Sequence, residues 1–243
     1  MRTTVFWIDG PWSSAFAAQP LAAKGIVVLQ AGGASDGQDA VYRSTQQEAP
    51  RQMAAFEGAI DYLDHEGIVD HERVGVIGFS RTVYHVAYTL THSKYHFRAA
   101  TLADGFNGGY FERIAYPNQS AEPDAVNGGP PYGMTLPLWL ERSPGFNLSN
   151  LKTPVRLEGY GVAAAIEEWE WFSVSSAMKK PVDFLLLPRG THLLVKPWDR
   201  VASQQGNVDW FAFWLKGEED LSPKKRTVYA KWHRFRETEE RSK

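Results

Sequence analysis

Short runs of β-branched and aliphatic residues alternate along this chain with stretches whose apolar residues recur at helical spacing. That alternation constrains the fold more than any other feature. A strand covered on both faces reads as a continuous apolar run, and a helix between successive strands makes parallel pairing the natural outcome. The predicted strands are Thr4 to Asp9, Gly25 to Gln30, Arg73 to Gly78, Phe97 to Ala103, Pro154 to Glu158 and Val182 to Leu187. Helices are predicted over Ala49 to His65, where Met53, Phe56, Ile60 and Leu63 form one stripe, and over Thr82 to Thr91, Ala165 to Lys179 and Val208 to Lys216. The fold class is α/β, a mostly parallel central sheet with helices on both faces.

At 243 residues the chain suits one large α/β domain, which can reach roughly 250 residues. Residues 1–216 are assigned to that domain and residues 217–243 to a polar helical tail with Val228, Trp232 and Phe235 as its docking stripe. Within the domain, residues 105–149 break the rhythm with seven glycines and six prolines among scattered aromatics, and read as a cap or lid insertion with aromatic walls. Lys+Arg 26 against Asp+Glu 28 leaves no basic field to gather phosphates, so nucleic acid is not an expected partner. With no cysteine, thiolate metal sites and cysteine nucleophiles are excluded. The longest aliphatic or aromatic run is six residues, Trp210 to Leu215, against the roughly 18 needed to span a bilayer. No membrane partner is expected, the run after Met1-Arg2 is too short for a signal peptide, and a cytoplasmic location is the default. Oligomerisation is left open.

The stretch Arg73-Val-Gly-Val-Ile-Gly-Phe-Ser80-Arg-Thr-Val carries the chemistry. Gly33-Ala34-Ser35 also has the Gly-x-Ser spacing, but it sits in a loop, whereas Gly78-Phe79-Ser80 closes an apolar strand and opens a periodic helix. A serine on such a turn stands above the sheet edge, with a helix N-terminus beneath it to stabilise negative charge. Thr82 stands where that motif usually has a second glycine.

The run Gly67-Ile-Val-Asp-His-Glu-Arg-Val-Gly-Val-Ile-Gly-Phe-Ser80 resembles the catalytic domain of the prolyl oligopeptidase family, whose nucleophile follows a similar Asp-x-x-Arg-(Ile/Val)-Gly stretch. Asn150-Leu-Lys-Thr-Pro-Val, Lys180-Pro-Val-Asp-Phe-Leu-Leu-Leu-Pro-Arg-Gly-Thr-His192 and Asn207-Val-Asp-Trp-Phe-Ala-Phe-Trp-Leu are similar to that family's later segments. The resemblance implies an α/β-hydrolase fold, serine hydrolysis of ester, amide or peptide bonds, Ser80 as nucleophile and His192 as general base. It implies no cofactor or metal. The family usually places a β-propeller and opening strands before this domain, so a strand at Thr4 is expected to mark a stand-alone unit or a fragment. Asp9-Gly10-Pro11-Trp12 stands where the first loop normally reads His-Gly-Gly, and Pro11 lacks an N–H. The oxyanion donors are therefore the Arg81 amide and, less securely placed, Gly10.

Of seven histidines, only His192 and His233 lie far enough downstream for the order serine, acid, histidine. His92 and His96 share i, i+4 spacing without a third ligand, so no metal site is expected. The acid is open among Asp104, which ends the fourth predicted strand, Glu158, and Glu167 or Glu168 at a helix start. Gly159 to Ala165, where the family's acid usually lies, has no carboxylate. Asp104 is favoured by position. The leading expectation is a carboxylesterase-like hydrolase of small esters. The alternatives are a serine peptidase catalytic domain of the prolyl oligopeptidase type and a non-catalytic binding module on the same fold.

Overall fold

Apolar strands flanked by helices pair in parallel because both sheet faces must be covered. The computed structural model describes residues 17–31 and 37–241. Its sheet, among these residues, runs in the order β1 (Gly75–Phe79), β2 (Ala99–Ala103), β3 (Val155–Tyr160) and β4 (Val182–Leu187), all parallel. Gly75 lies opposite Ala99, Ala100 opposite Val155, and Val155 opposite Val182. The two central strands, β2 and β3, are buried at every position, and β3 alternates Val155 and Leu157 with the buried ion pair Arg156 and Glu158.

The helices, in chain order, are α1 (Ala18–Ala23), α2 (Glu48–His65), α3 (Thr82–His92), α4 (Tyr110–Ala115), α5 (Ala121–Asn127), α6 (Leu136–Arg142), α7 (Val162–Ala177), α8 (Pro197–Arg200), α9 (Gly206–Phe211) and α10 (Arg226–Arg241). Ile60 of α2, Val83, Val86 and Leu90 of α3 and Trp171 of α7 cover one sheet face with Leu102, Val155 and Leu157. Leu21, Val208, Trp210, Phe213, Tyr229 and Trp232 cover the other around Ala99. The result is an α/β sandwich with both faces sealed. No helix among the described residues is long and apolar enough to cross a membrane.

Several expectations change in detail. Thr4 to Asp9 lies outside the described residues. Gly25 to Gln30 is not a strand: Ile26 and Val28 pack on the second core while Val27 and Leu29 are exposed, but none of the four described strands pairs with it. Its period of two reports burial on one side, and no ladder joins it to the four described strands. Helix α7 begins at Val162, earlier than expected, because the chain turns at Gly161, whose φ of 96° favours glycine. The helix expected over Val208 to Lys216 starts upstream in α8 and α9 and passes through π-helical turns at Val201–Gln205 and Ala212–Lys216. In α10 the docked residues are Tyr229 and Trp232 with Phe235, while Val228 is exposed. Trp232 Nε1–H donates to Asp183 Oδ2 at 2.6 Å, a hydrogen bond that seats the tail helix against β4.

The insertion is more regular than its composition suggests. Three short helices, α4 to α6, are joined by 3₁₀ turns at Pro117–Gln119 and Gly133–Thr135, and Pro144–Asn150 leads into β3. Its aromatics chiefly attach it to the domain. Trp139 is fully buried and donates from Nε1 to the Gly129 carbonyl at 2.7 Å, Phe106 meets Tyr84 of α3 edge-on, and Tyr110 packs on Trp139 and Phe146. Trp139 is thus a core residue of the insertion and not a pocket wall.

Candidate active site

Three strand ends converge at the C-terminal edge of the sheet, where an open parallel fold offers its crevice. At the end of β1 the chain reverses into α3 through Ser80, a non-glycine residue at φ 54°, a strained left-handed conformation. The elbow is tight: a side chain at Gly78 would bring its Cβ within 2.6 Å of the Thr82 carbonyl oxygen. Thr82 is itself a staple. Its hydroxyl accepts from the Phe79 amide and donates to the Phe79 carbonyl, both at 2.8 Å, so the residue in the usual glycine position closes the turn.

Asp104 follows β2 and is also left-handed, at φ 47°. The sharp turn is therefore made by Asp104 itself. Gly105 serves a different need, since any Cβ there would overlap the Ser80 carbonyl oxygen. The Asp104 amide donates to Glu158 O at 2.7 Å, and Asp104 Oδ1 accepts the Tyr160 amide at 2.7 Å. Its other oxygen, Oδ2, lies 2.6 Å from Nδ1 of His192, which arrives on the loop after β4. With Oδ2 as acceptor, Nδ1 carries the proton and Nε2 is left to accept, 2.9 Å from Ser80 Oγ. The imidazole stacks on Phe79, ring centroids 4.8 Å apart at 22°, so packing as well as hydrogen bonding fixes its plane. The hydrogen bond to Asp104 raises the His192 pKa above its ordinary value, with burial opposing.

The other candidate acids stand elsewhere. Glu158 is fully buried and fully committed, to Arg156 Nε at 2.8 Å, the Tyr160 hydroxyl at 2.7 Å and Ser203 Oγ at 2.6 Å. Glu167 is half-buried and feels both Asp104 and His192. Burial and then repulsion from Asp104 push its carboxyl up to about 7. Glu168 lies on the buried face of α7, where burial and neighbouring carboxylates raise its pKa well above the ordinary range. Among the remaining histidines, His233 faces Glu219 and His92 stacks on Tyr88 and approaches the Glu141 carbonyl. No group of three or more His, Asp or Glu among the described residues is arranged to hold a metal.

The Arg81 amide heads α3, where the first N–H groups of a helix have no intrahelical acceptor. Gly10 lies outside the described residues. The Arg81 side chain was not foreseen: it pairs with Glu48, Nε to Oε1 at 2.8 Å and Nη2 to Oε2 at 2.5 Å. Neither that partnership nor the Tyr160 amide on Asp104 leaves a sequence signal, because the partners are 33 and 56 residues apart. Phe79 sat inside the Gly-x-Ser motif, and an aromatic at its variable position was the available hint.

No family model matches the sequence. The lasso peptide isopeptidase AtxE2 of Asticcacaulis excentricus is 30% identical over 201 residues, 78% of this chain and 27% of that protein. A solved structure of an AtxE2 serine-to-alanine variant with Astexin3 bound superposes with a TM-score of 0.67 at 25% identity, covering 79% of this chain and 29% of that one. Acylaminoacyl peptidase of Pyrococcus horikoshii shares the fold, with a TM-score of 0.59 at 18% identity over 76% of this chain and 31% of the other. The chain thus spans under a third of the length of these relatives. Within that span, sequence and fold agree with the parallel sheet and the elbow at Ser80 described above: the chain is homologous to the isopeptidase and has the α/β-hydrolase fold of prolyl oligopeptidase-family catalytic domains.

Proposed function

We propose that this chain is a peptidase-type serine hydrolase that cleaves amide bonds in peptide substrates through an acyl-enzyme. The observation that carries the reading is the continuous relay from Ser80 Oγ to His192 Nε2 at 2.9 Å and from His192 Nδ1 to Asp104 at 2.6 Å. Homology to an isopeptidase supports amide chemistry over the hydrolysis of small esters, so the peptidase alternative displaces the esterase expectation.

In this mechanism Ser80 Oγ attacks the carbonyl carbon as its proton passes to His192 Nε2. The oxyanion that forms accepts from the Arg81 amide at the head of α3. Collapse breaks the C–N bond, and His192 returns the proton to the leaving amine. Water then attacks the ester under the same base, the acid product leaves, and Ser80 recovers its proton. Asp104 holds the imidazole with Nδ1 protonated throughout and stabilises the imidazolium.

A fluorophosphonate probe tests the reading. Native protein should label and Ser80→Ala should not. Absence of labelling in the native protein, or equal labelling of both, refutes it and favours a binding module on the same fold. Turnover of peptidyl p-nitroanilides against short p-nitrophenyl esters decides the order of substrates, and a clear advantage for simple esters over every peptide amide would restore the esterase.

A further inference from the structure

A cation at the head of a helix opposes the helix dipole, so an arginine directly after the elbow serine calls for a reason. Its guanidinium is largely buried, with 14% of the side chain exposed, and is held from two sides. Glu48, the first residue of α2, takes it in a bidentate pair, and Glu122 of insertion helix α5 lies 2.9 Å from Nη1. Phe106, at the start of the insertion, covers the guanidinium at 4.6 Å from its ring centroid.

Glu48 is gripped in turn. His85 Nε2 of α3 stands 2.8 Å from Oε1, and the Ser44 amide donates to Oε2 at 2.6 Å. The Ser44 hydroxyl also donates to Glu122 at 3.1 Å. Burial would raise the Glu48 carboxyl, but hydrogen bonds from His85 and Arg81 and the Arg81 charge bring it down to about 2. The pair therefore stays charged at any working pH.

A buried ion pair adds little net stability, since well-packed apolar residues of similar volume are often as good or better. Its two parallel hydrogen bonds, however, fix direction as well as distance. Here the fork belongs to the residue whose own backbone N–H stands beside the nucleophile. We propose that the Arg81 side chain is a positioning residue, clamped between Glu48 and Glu122 so that the amide following Ser80 stays aimed at the oxyanion and the insertion is tied to the same point. This inference rests on the reading of Ser80 as the nucleophile. Loss of one oxyanion donor costs about 10²–10³ in kcat, and a misplacement of about 1 Å can cost about 10².

The test uses the full chain, with competent sites counted by end-point fluorophosphonate labelling and kcat and KM measured on a peptidyl p-nitroanilide. Arg81→Met should lower kcat per competent site by about 10- to 100-fold with KM within about threefold. Arg81→Lys should not restore it, because a single ammonium cannot meet both Glu48 oxygens. Glu122→Gln removes only the half-exposed arm of the clamp and leaves the buried pair, so it gives a folded variant even if both arginine replacements fail to fold, and should lower kcat several-fold. Unchanged kcat per competent site in the folded variants, or full rescue by lysine, overturns the proposal whatever happens to Tm. Failure of the unsubstituted protein to label refutes the hydrolase reading itself and is thereby told apart.

Discussion

Replacing Asp104 with Asn changes one oxygen to an NH₂ group and little else in shape. The Tyr160 amide donates to Oδ1 at 2.7 Å, and an asparagine can keep that contact only with its carbonyl oxygen in the same place. Its NH₂ is then turned toward His192 Nδ1, where Asp104 Oδ2 stood at 2.6 Å. Two donors cannot face each other, so Nδ1 gives up its proton and Nε2 takes one. Nε2 is the atom that must be free to accept the Ser80 proton. The wrong tautomer costs about 10⁴ in kcat, equivalent to about 5 kcal/mol of transition-state stabilisation. The pH profile gives a second reading. A base acts when unprotonated, so kcat/KM falls as pH drops through the His192 pKa, which the Asp104 hydrogen bond raises. In the variant that acid limb should move to lower pH. Turnover per folded protein, with the fold checked by near-ultraviolet circular dichroism, is the assay. Near-native turnover would refute the assignment of Asp104 to His192.

The other perturbations separate structure from chemistry. Glu158→Gln leaves Arg156 buried without its carboxylate, and urea unfolding should show a loss of about 3 kcal/mol while turnover per folded molecule stays near native. Gly105→Ala forces a methyl group into the Ser80 carbonyl, so the elbow and Asp104 must separate, and fluorophosphonate labelling should slow by at least about 10². Glu112 is buried and accepts the Asn107 and Gly108 amides, yet burial, with Glu167 and Glu170 nearby, raises its carboxyl to about 8. An acid raised on folding stabilises the native state at low pH, and that contribution is lost as pH rises from the unfolded value toward about 8. The urea midpoint should therefore fall between pH 5 and pH 8, and Glu112→Gln should flatten the decline.

What could be read from the sequence followed local periodicity. Strands β1 to β4 were legible because each is a short run set between stretches of helical spacing, and α2 and α3 because their stripes are complete. Gly25 to Gln30 misled because alternation reports burial on one side and not a ladder partner. The insertion hid its short helices behind glycine and proline, although Pro137 and Pro144 stand in first turns, where proline is at home. In the site, Ser80 and His192 each sit beside a strand and were visible for that reason. Asp104 could be ranked by position but not separated from Glu158, because both close predicted strands; in the structure β3 continues past Glu158 to Tyr160. What separates them is their partners, and those come from residues dozens of positions away.

Why the carboxylate beside His192 comes from β2 and not from the loop after β3 follows from how that loop is used. Gly161 turns there at φ 96°, its amide donates to the Leu187 carbonyl at 2.8 Å, and α7 starts at the next residue. Val162, at the head of that helix, is 66% exposed and carries no carboxylate. The end of β2 lies between the serine strand and β3. From there one carboxylate can take the Tyr160 amide with one oxygen and the imidazole with the other. That position demands a left-handed residue, and aspartate tolerates the conformation better than glutamate does. It also demands a neighbour with no side chain, which Gly105 supplies. The two strained residues of the site, Ser80 and Asp104, thus form one device: each is held against the other by the contact that only a glycine at 105 permits.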